Sequence, residues 1–176
     1  MGKYLFFDID GTLLSDVTHT VPQSAIEAIK KAKENGHHCF FCTGRSYFMT
    51  KEISFTGIED AIIANGAAVI RDGKPVLQKI ISEDVVKKTL ELIEELGGGY
   101  QIIDWKYGYQ NPYTHAMFEE QFKKKFDEPV EEVFKKKSMK TMAETENNPI
   151  LKIDATFDTV EAAERFMKEL DPSLTF

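Results

Sequence analysis

The sequence predicts an α/β protein in which a doubly wound parallel sheet is followed by an α+β unit. Over residues 3–67, three short apolar runs alternate with segments of helical pattern. Each apolar run ends in a polar or glycine-containing turn, which is typical of parallel strands joined by crossover helices. Beyond about residue 68 the pattern changes to a hairpin, short strands and amphipathic helices. This change indicates a second unit of a different structural class.

The elements of the first unit follow from its apolar runs. Residues 3–7 predict a buried strand, and residues 37–42 and 61–64 predict the second and third strands. Ser24 and Glu27 have the spacing of a capping box, which predicts that a helix begins after Ser24. Because ligands bind beyond the carboxyl ends of parallel strands, the turns after the three strands are expected to meet in one crevice.

The elements of the second unit are predicted from turn and capping signals. An Asp72-Gly73 pair between apolar flanks predicts a hairpin, and Ser82 is placed at the start of a helix. We place the domain boundary within residues 68–80 and divide the chain into residues 1–70 and 71–176. The remaining predicted elements are strands near 100–104 and 107–110, a helix over 114–126, a strand over 150–157 and a helix over 159–170.

Composition narrows the classes of partner. The chain has 176 residues and a formal net charge of −7, so it has no general attraction for nucleic acid or anionic membranes. Its two cysteines, Cys39 and Cys42, cannot build a disulfide framework, which favours a reducing compartment. The first apolar run is too short for a signal peptide or a membrane span. We therefore expect a cytoplasmic protein with neither nucleic acid nor a membrane as its partner.

The sharpest chemical signal is the pair of acids that follows the first strand. Asp8 and Asp10 stand at positions i and i+2, which point to the same side of an extended chain. One carboxylate can attack a phosphoryl group, and the other can protonate the leaving alcohol and later deprotonate water. Two acids and a phosphate dianion repel one another, so magnesium (Mg2+) is expected as cofactor. The alternative is that both acids only cap a loop.

These residues resemble the motifs of the haloacid dehalogenase (HAD) superfamily. The string from Asp8 to Leu14, Asp-Ile-Asp-Gly-Thr-Leu-Leu, looks like its first motif, and Thr43-Gly44-Arg45 resembles its second. Asn65-Gly66-Ala67 after the third strand is similar to the Cof-type subgroup, in which an α+β cap is inserted at this point. The resemblance implies a Rossmann-like core carrying such a cap.

The resemblance also implies a role for each matched residue. Asp8 would be the nucleophile, Asp10 the general acid and base, and the Asp8 carboxylate and Asp10 carbonyl would hold Mg2+. The expected partner is a small phosphorylated metabolite. The residues expected to bind its phosphate or lie near it are Gly11, Thr12, Thr43, Gly44, Arg45 and Asn65.

Two later motifs of the family, a lysine and an acidic pair, have no counterpart that we recognise before Phe176. We therefore expect an incomplete core, either because the chain is truncated or a fragment, or because another chain completes the fold. An uncovered core surface could support self-association.

The predicted function is Mg2+-dependent hydrolysis of a small phosphate monoester, of the sugar or nucleotide type, through an aspartyl-phosphate on Asp8. Two alternatives remain open: a phosphomutase with the same core, and a catalytically incomplete protein that only binds phosphate.

Overall fold

A computed structural model describes residues 2–15, 17–18, 20–146 and 148–174. The chain divides into two compact units, and the division follows Lys79. The sequence-based division lies earlier, at residues 70 and 71. The difference arises because the predicted hairpin pairs with the first sheet and not with the second.

The first unit is built on one five-stranded sheet in the order β1-β2-β3-β4-β5. The first three strands are parallel, as the sequence predicts, and the last two add an antiparallel hairpin. A helix connects β1 to β2, and a short helix followed by a 3-10 segment connects β2 to β3. The bounds are β1 Tyr4–Phe7, α1 Gln23–Glu34, β2 His38–Cys42, α2 Tyr47–Thr50, the 3-10 segment Lys51–Thr56, β3 Asp60–Ile63, β4 Ala68–Arg71 and β5 Lys74–Gln78.

The predicted capping box at the start of α1 is wrong. The helix begins at Gln23, and Pro22 occupies the N-cap position with no side-chain cap. The Pro22 carbonyl accepts the first helical hydrogen bonds, from Ala25 N at 3.0 Å and Ile26 N at 3.3 Å. Pro22 has φ −59° and ψ 139°, so it enters the helix from an extended conformation without needing a free N–H. Ser24 therefore lies inside the first turn.

The turn of the predicted hairpin depends on two consecutive residues with positive φ. Asp72 has φ 50° and Gly73 has φ 70°, the combination of the type I′ turn that joins twisted antiparallel strands. The Asp60 side chain supports the turn by accepting a hydrogen bond from Asp72 N at 2.8 Å. The Asp-Gly signal thus predicts the turn correctly.

The second unit is a four-stranded sheet, in the order β8-β7-β6-β9, with four α-helices in its described part. Its pairs are antiparallel except for β7 with β8, which run parallel. The sequence did not predict α5 or β8. The bounds are α3 Glu83–Glu95, β6 Gly99–Ile103, β7 Gly108–Gln110, α4 Pro112–Lys125, α5 Val130–Lys136, β8 Met139–Thr141, β9 Lys152–Thr156 and α6 Val160–Glu169.

Each unit buries its own apolar side chains. In the second unit, Ile93, Tyr100, Ile102, Tyr109, Ile150 and Phe166 form one buried cluster. In the first unit, β1 is an edge strand, and its side chains Tyr4 and Phe6 remain 54% exposed. Across the described ranges, no helix is both long enough and apolar enough to cross a membrane.

Candidate active site

The two predicted catalytic acids lie in the loop that follows β1. Ile9, between them, is completely buried, whereas Asp8 and Asp10 are both exposed. The loop is closed by hydrogen bonds from Leu14 N to Ile9 O at 2.7 Å and from Gly11 N to Leu14 O at 3.0 Å. The buried Ile9 therefore anchors a loop that holds both carboxylates at the protein surface.

Gly11 and Thr12 shape this loop in different ways. Gly11 has φ 73°, a backbone conformation that glycine adopts without strain. Gly11 is one of the residues expected near the phosphate, and its N–H donates within the loop to Leu14 O. The Thr12 hydroxyl donates to Asp8 Oδ2 at 3.0 Å, which restrains the orientation of the Asp8 carboxylate. Thr12 thus contacts the predicted nucleophile directly.

Asp10 forms a two-point ion pair with Arg45, which lies after β2. Arg45 Nε donates to Asp10 Oδ2 at 2.8 Å, and Nη2 donates to Oδ1 at 2.6 Å. The Arg45 side chain is 14% exposed and the Asp10 side chain is 57% exposed. Hydrogen bonding from the guanidinium lowers the pKa of Asp10 below its ordinary value, against the opposing effect of partial burial. This pairing favours the ionised form of Asp10 when no substrate is bound.

Thr43 lies at the end of β2 and is 6% exposed. Its backbone N–H donates to Ile62 O at 3.0 Å, which fixes it against β3. Its hydroxyl oxygen accepts from Arg45 N at 3.1 Å. This bond leaves the hydroxyl hydrogen available to a phosphate oxygen. The phosphate-binding role expected for Thr43 stays a prediction.

The loop after β3 is hydrogen-bonded to the loop after β2. Ala64 N donates to Arg45 O at 2.9 Å. A Cβ atom placed on Gly44 would come within 2.6 Å of Asn65 Oδ1, so the Asn65 side chain occupies the space that glycine leaves open. Ala64 has φ 50° and Asn65 has φ 56°, which L residues adopt at an energetic cost. The strained backbone thus directs Asn65 toward Gly44.

Two further polar residues of this region were not predicted. Ser46 is completely buried, and its hydroxyl has no hydrogen-bond partner among the described residues. Glu52, in the 3-10 segment after α2, accepts from Arg45 Nη1 at 3.4 Å. No sequence pattern marks Glu52, because it follows Arg45 by seven residues across a change of helix type. Only the folded chain shows that it contacts Arg45.

The residues expected to hold Mg2+ provide oxygen donors of the type that this ion prefers, the Asp8 carboxylate and the Asp10 carbonyl. Within the described ranges, no group of three or more His, Cys, Asp or Glu side chains could hold a metal ion. The two predicted ligands therefore suit Mg2+ in the chemistry of their oxygens, but the described acidic side chains do not by themselves form a three-ligand site.

Comparison with known proteins identifies the family. The model of the haloacid dehalogenase-like hydrolases matches residues 5–175. The chain therefore belongs to this family, which confirms the family and the α/β fold class predicted from the motifs.

Two curated relatives extend the comparison. A phosphoglycolate phosphatase of Methanospirillum hungatei JF-1 is 30% identical over 135 residues, which are 76% of this chain and 55% of that protein. The protein YkrA of Bacillus subtilis (strain 168) is 32% identical over 95 residues, which are 53% of this chain and 37% of YkrA. The chain thus spans about half the length of the curated relatives that it matches, or less.

Solved structures show the same fold. BT1666 from Bacteroides thetaiotaomicron, described among the phosphatases of the HAD superfamily, is 30% identical with a TM-score of 0.62, covering 78% of this chain and 53% of that chain. The subclass IIB sugar phosphatase BT4131 is 24% identical with a TM-score of 0.67, covering 96% of this chain and 63% of that chain.

Proposed function

We propose that this protein is a Mg2+-dependent phosphatase that hydrolyses small phosphate monoesters through an aspartyl-phosphate on Asp8. The observation that carries the proposal is the pair of exposed carboxylates on either side of the buried Ile9 at the end of β1. Such a pair provides a nucleophile and an acid-base group on one short loop. Membership of a hydrolase family supports the same chemistry.

The reaction would proceed in two steps. In the first, Asp10 has bound a proton from solvent, and it gives this proton to the leaving alcohol while an Asp8 oxygen attacks phosphorus. In the second, Asp10 takes a proton from water, which attacks the aspartyl-phosphate and releases inorganic phosphate. Thr12 orients Asp8 through its hydroxyl bond at 3.0 Å, and the Thr43 hydroxyl would donate to the transferring group. Each step conserves charge and protons.

Magnesium, when bound, would neutralise the charge of the phosphate and of the two acids. The Asp8 carboxylate and the Asp10 carbonyl would hold it. Gly44 and Asn65 would lie beside the phosphate, because the Asn65 amide is packed against Gly44 at the same end of the sheet.

The proposed substrates are small phosphorylated metabolites of the sugar or nucleotide type. The relatives are described as acting on phosphoglycolate and on sugar phosphates, which supports a small monoester. The proposed location is the cytoplasm, since Cys39 and Cys42 are free thiols. The second unit is proposed to be the inserted cap that restricts which substrate enters.

The test is phosphate release from an aryl phosphate by this chain, with and without Mg2+, in the wild type and in Asp8→Asn. We expect Mg2+-dependent release by the wild type and a loss of at least ~1,000-fold in Asp8→Asn, because the nucleophile is gone. Asp127→Asn, an exposed change in the second unit, is the matched control and should retain full activity. Full activity of Asp8→Asn would exclude Asp8 as nucleophile. With a sugar phosphate in place of the aryl phosphate, isomer formation without free phosphate would indicate a mutase.

A further inference from the structure

The backbone N–H and the backbone carbonyl of Arg45 are both hydrogen-bonded. Its backbone N–H donates to the Thr43 hydroxyl at 3.1 Å, and its carbonyl accepts from Ala64 N at 2.9 Å. The backbone of Arg45 is thereby held between the loops that follow β2 and β3. The Arg45 side chain extends from this backbone position, and because it is only 14% exposed it is largely shielded from water.

The guanidinium group bridges two carboxylates. Nε and Nη2 bind both oxygens of Asp10, at 2.8 and 2.6 Å, and Nη1 lies 3.4 Å from Glu52 Oε2. A planar fork that binds both oxygens fixes the rotation of a carboxylate as well as its position. Glu52 adds a contact on the third nitrogen, so the plane of the guanidinium is itself restrained.

The contact leaves Asp10 able to react. Each carboxylate oxygen has two lone pairs, and Arg45 uses one on each oxygen. The second lone pair of either oxygen remains available for a leaving alcohol or a water. Arg45 therefore restricts where Asp10 points without blocking it.

We propose that Arg45 and Glu52 are positioning residues that hold the Asp10 carboxylate in the orientation required for proton transfer. This inference rests on the proposed function for the role of Asp10, and it assigns a role to Glu52 that no sequence motif indicates. It also differs from the expectation that Arg45 contacts the substrate, because Nε and Nη2 of its guanidinium group are both hydrogen-bonded to Asp10.

The direct test is the orientation of Asp10 in crystal structures of Arg45→Lys and Glu52→Ala. Lysine keeps the charge but cannot bind both oxygens in one plane. We expect the Asp10 side chain to rotate in Arg45→Lys and to occupy more than one orientation in Glu52→Ala. An unchanged Asp10 in both variants would overturn the proposal. This measurement needs no turnover, so it can fail independently of the proposed function.

The kinetic test compares two substrates. A nitrophenyl phosphate has a leaving group that is stable as an anion, whereas an alkyl phosphate needs a proton from Asp10. We expect kcat/KM of Arg45→Lys to fall about 10- to 100-fold for the alkyl phosphate and much less for the nitrophenyl phosphate. Inhibition by inorganic phosphate should be unchanged. If kcat/KM of Arg45→Lys fell equally for both substrates and inhibition by inorganic phosphate became weaker, Arg45 would contact the substrate directly. That result would overturn the proposal.

Two further variants serve as controls. Arg165 in α6 also bridges two carboxylates. Its Nε lies 2.8 Å from Glu169 Oε1, and its Nη2 lies 2.8 Å from Glu95 Oε1. Arg165→Lys makes the same substitution away from the site and should retain wild-type kinetics on both substrates. Glu52→Gln keeps an acceptor for Arg45 and should keep the Asp10 side chain in a single orientation, unlike Glu52→Ala. Absence of wild-type turnover would contradict the proposed function alone.

Discussion

At the scale of single residues, the site depends on contacts between loops that are distant in sequence. The i, i+2 spacing of Asp8 and Asp10 predicted two acids on one side, and both are exposed beside the buried Ile9. The pairing of Asp10 with Arg45 could not be predicted from that spacing. It requires the parallel register that sets Phe7 opposite Phe41 and so brings the loops after β1 and β2 together.

Gly44 provides a residue-scale prediction, because a side chain there would meet Asn65 Oδ1 at 2.6 Å. In Gly44→Ala the Asn65 side chain can rotate away, so we expect a stability loss under about 1 kcal/mol. The displaced amide should nevertheless reduce turnover. Urea unfolding and phosphate release measure the two effects.

Asn65→Ala is the comparison for this prediction. It should reduce turnover to a similar extent, and the double variant should be no worse than either single change, since both remove the same amide from its place. Additive losses in the double variant would contradict the idea that Gly44 acts by leaving room for Asn65.

At the scale of elements, the capping signals of the sequence predicted some helix starts correctly and missed others. Ser82 caps α3 as expected, its hydroxyl accepting from Val85 N at 3.4 Å. Ser24 does not cap α1, because Pro22 occupies the N-cap position and Ser24 lies inside the first turn. Asn111 caps α4 although the sequence placed the start of that helix near residue 114. A capping signal therefore has to be weighed against a nearby proline.

Asn111 should matter more to stability than Ser82. Its Oδ1 accepts from Thr114 N at 3.0 Å and Tyr100 N at 3.2 Å, and its Nδ2 donates to Gly98 O at 3.3 Å, all in a buried position. Asn111→Ala removes a cap and leaves buried backbone groups unpaired, so we expect a loss of about 2–4 kcal/mol.

Ser82→Ala is the matched control for Asn111→Ala, since Ser82 is an exposed cap with one hydrogen bond. It should cost roughly 0.5–1 kcal/mol. Urea unfolding of both variants measures the difference. Equal losses would show that the buried contacts of Asn111 contribute nothing beyond an ordinary cap.

At the scale of the whole molecule, the parallel part of the first sheet and most helices of the second unit were predictable from periodicity. The sheet to which the hairpin belongs was not, because local signals do not specify which strand β4 pairs with. The helix α5 and the strand β8 were missed because both are short, Val130–Lys136 and Met139–Thr141, and lie in a lysine-rich stretch.

The second unit is expected to lose stability at alkaline pH. Burial, with help from Glu94 and Asp104 respectively, raises the pKa of Tyr100 and Tyr109 to about 12, above the ordinary value of 10.0. The unfolded chain loses these protons first. Their contribution to stability is therefore complete below pH 10 and is lost as the pH rises toward 12.

Urea unfolding across this alkaline range measures the effect. The free energy of unfolding should fall less steeply with pH in Tyr100→Phe and Tyr109→Phe, because each variant lacks one of the two buried phenolic protons. An unchanged slope in the double variant would show that neither hydroxyl is responsible.

The most direct measurement is the identity of the residue that carries phosphate during turnover. The protein is mixed with an aryl phosphate and Mg2+, quenched in acid, and digested for mapping of the phosphorylated peptide by mass spectrometry. We predict one phosphoryl group on Asp8, absent in Asp8→Asn and accumulating in Asp10→Asn, because that variant lacks the base that activates water. Mg2+-dependent phosphate release with no phosphoryl group on Asp8 in any of these samples would contradict the account.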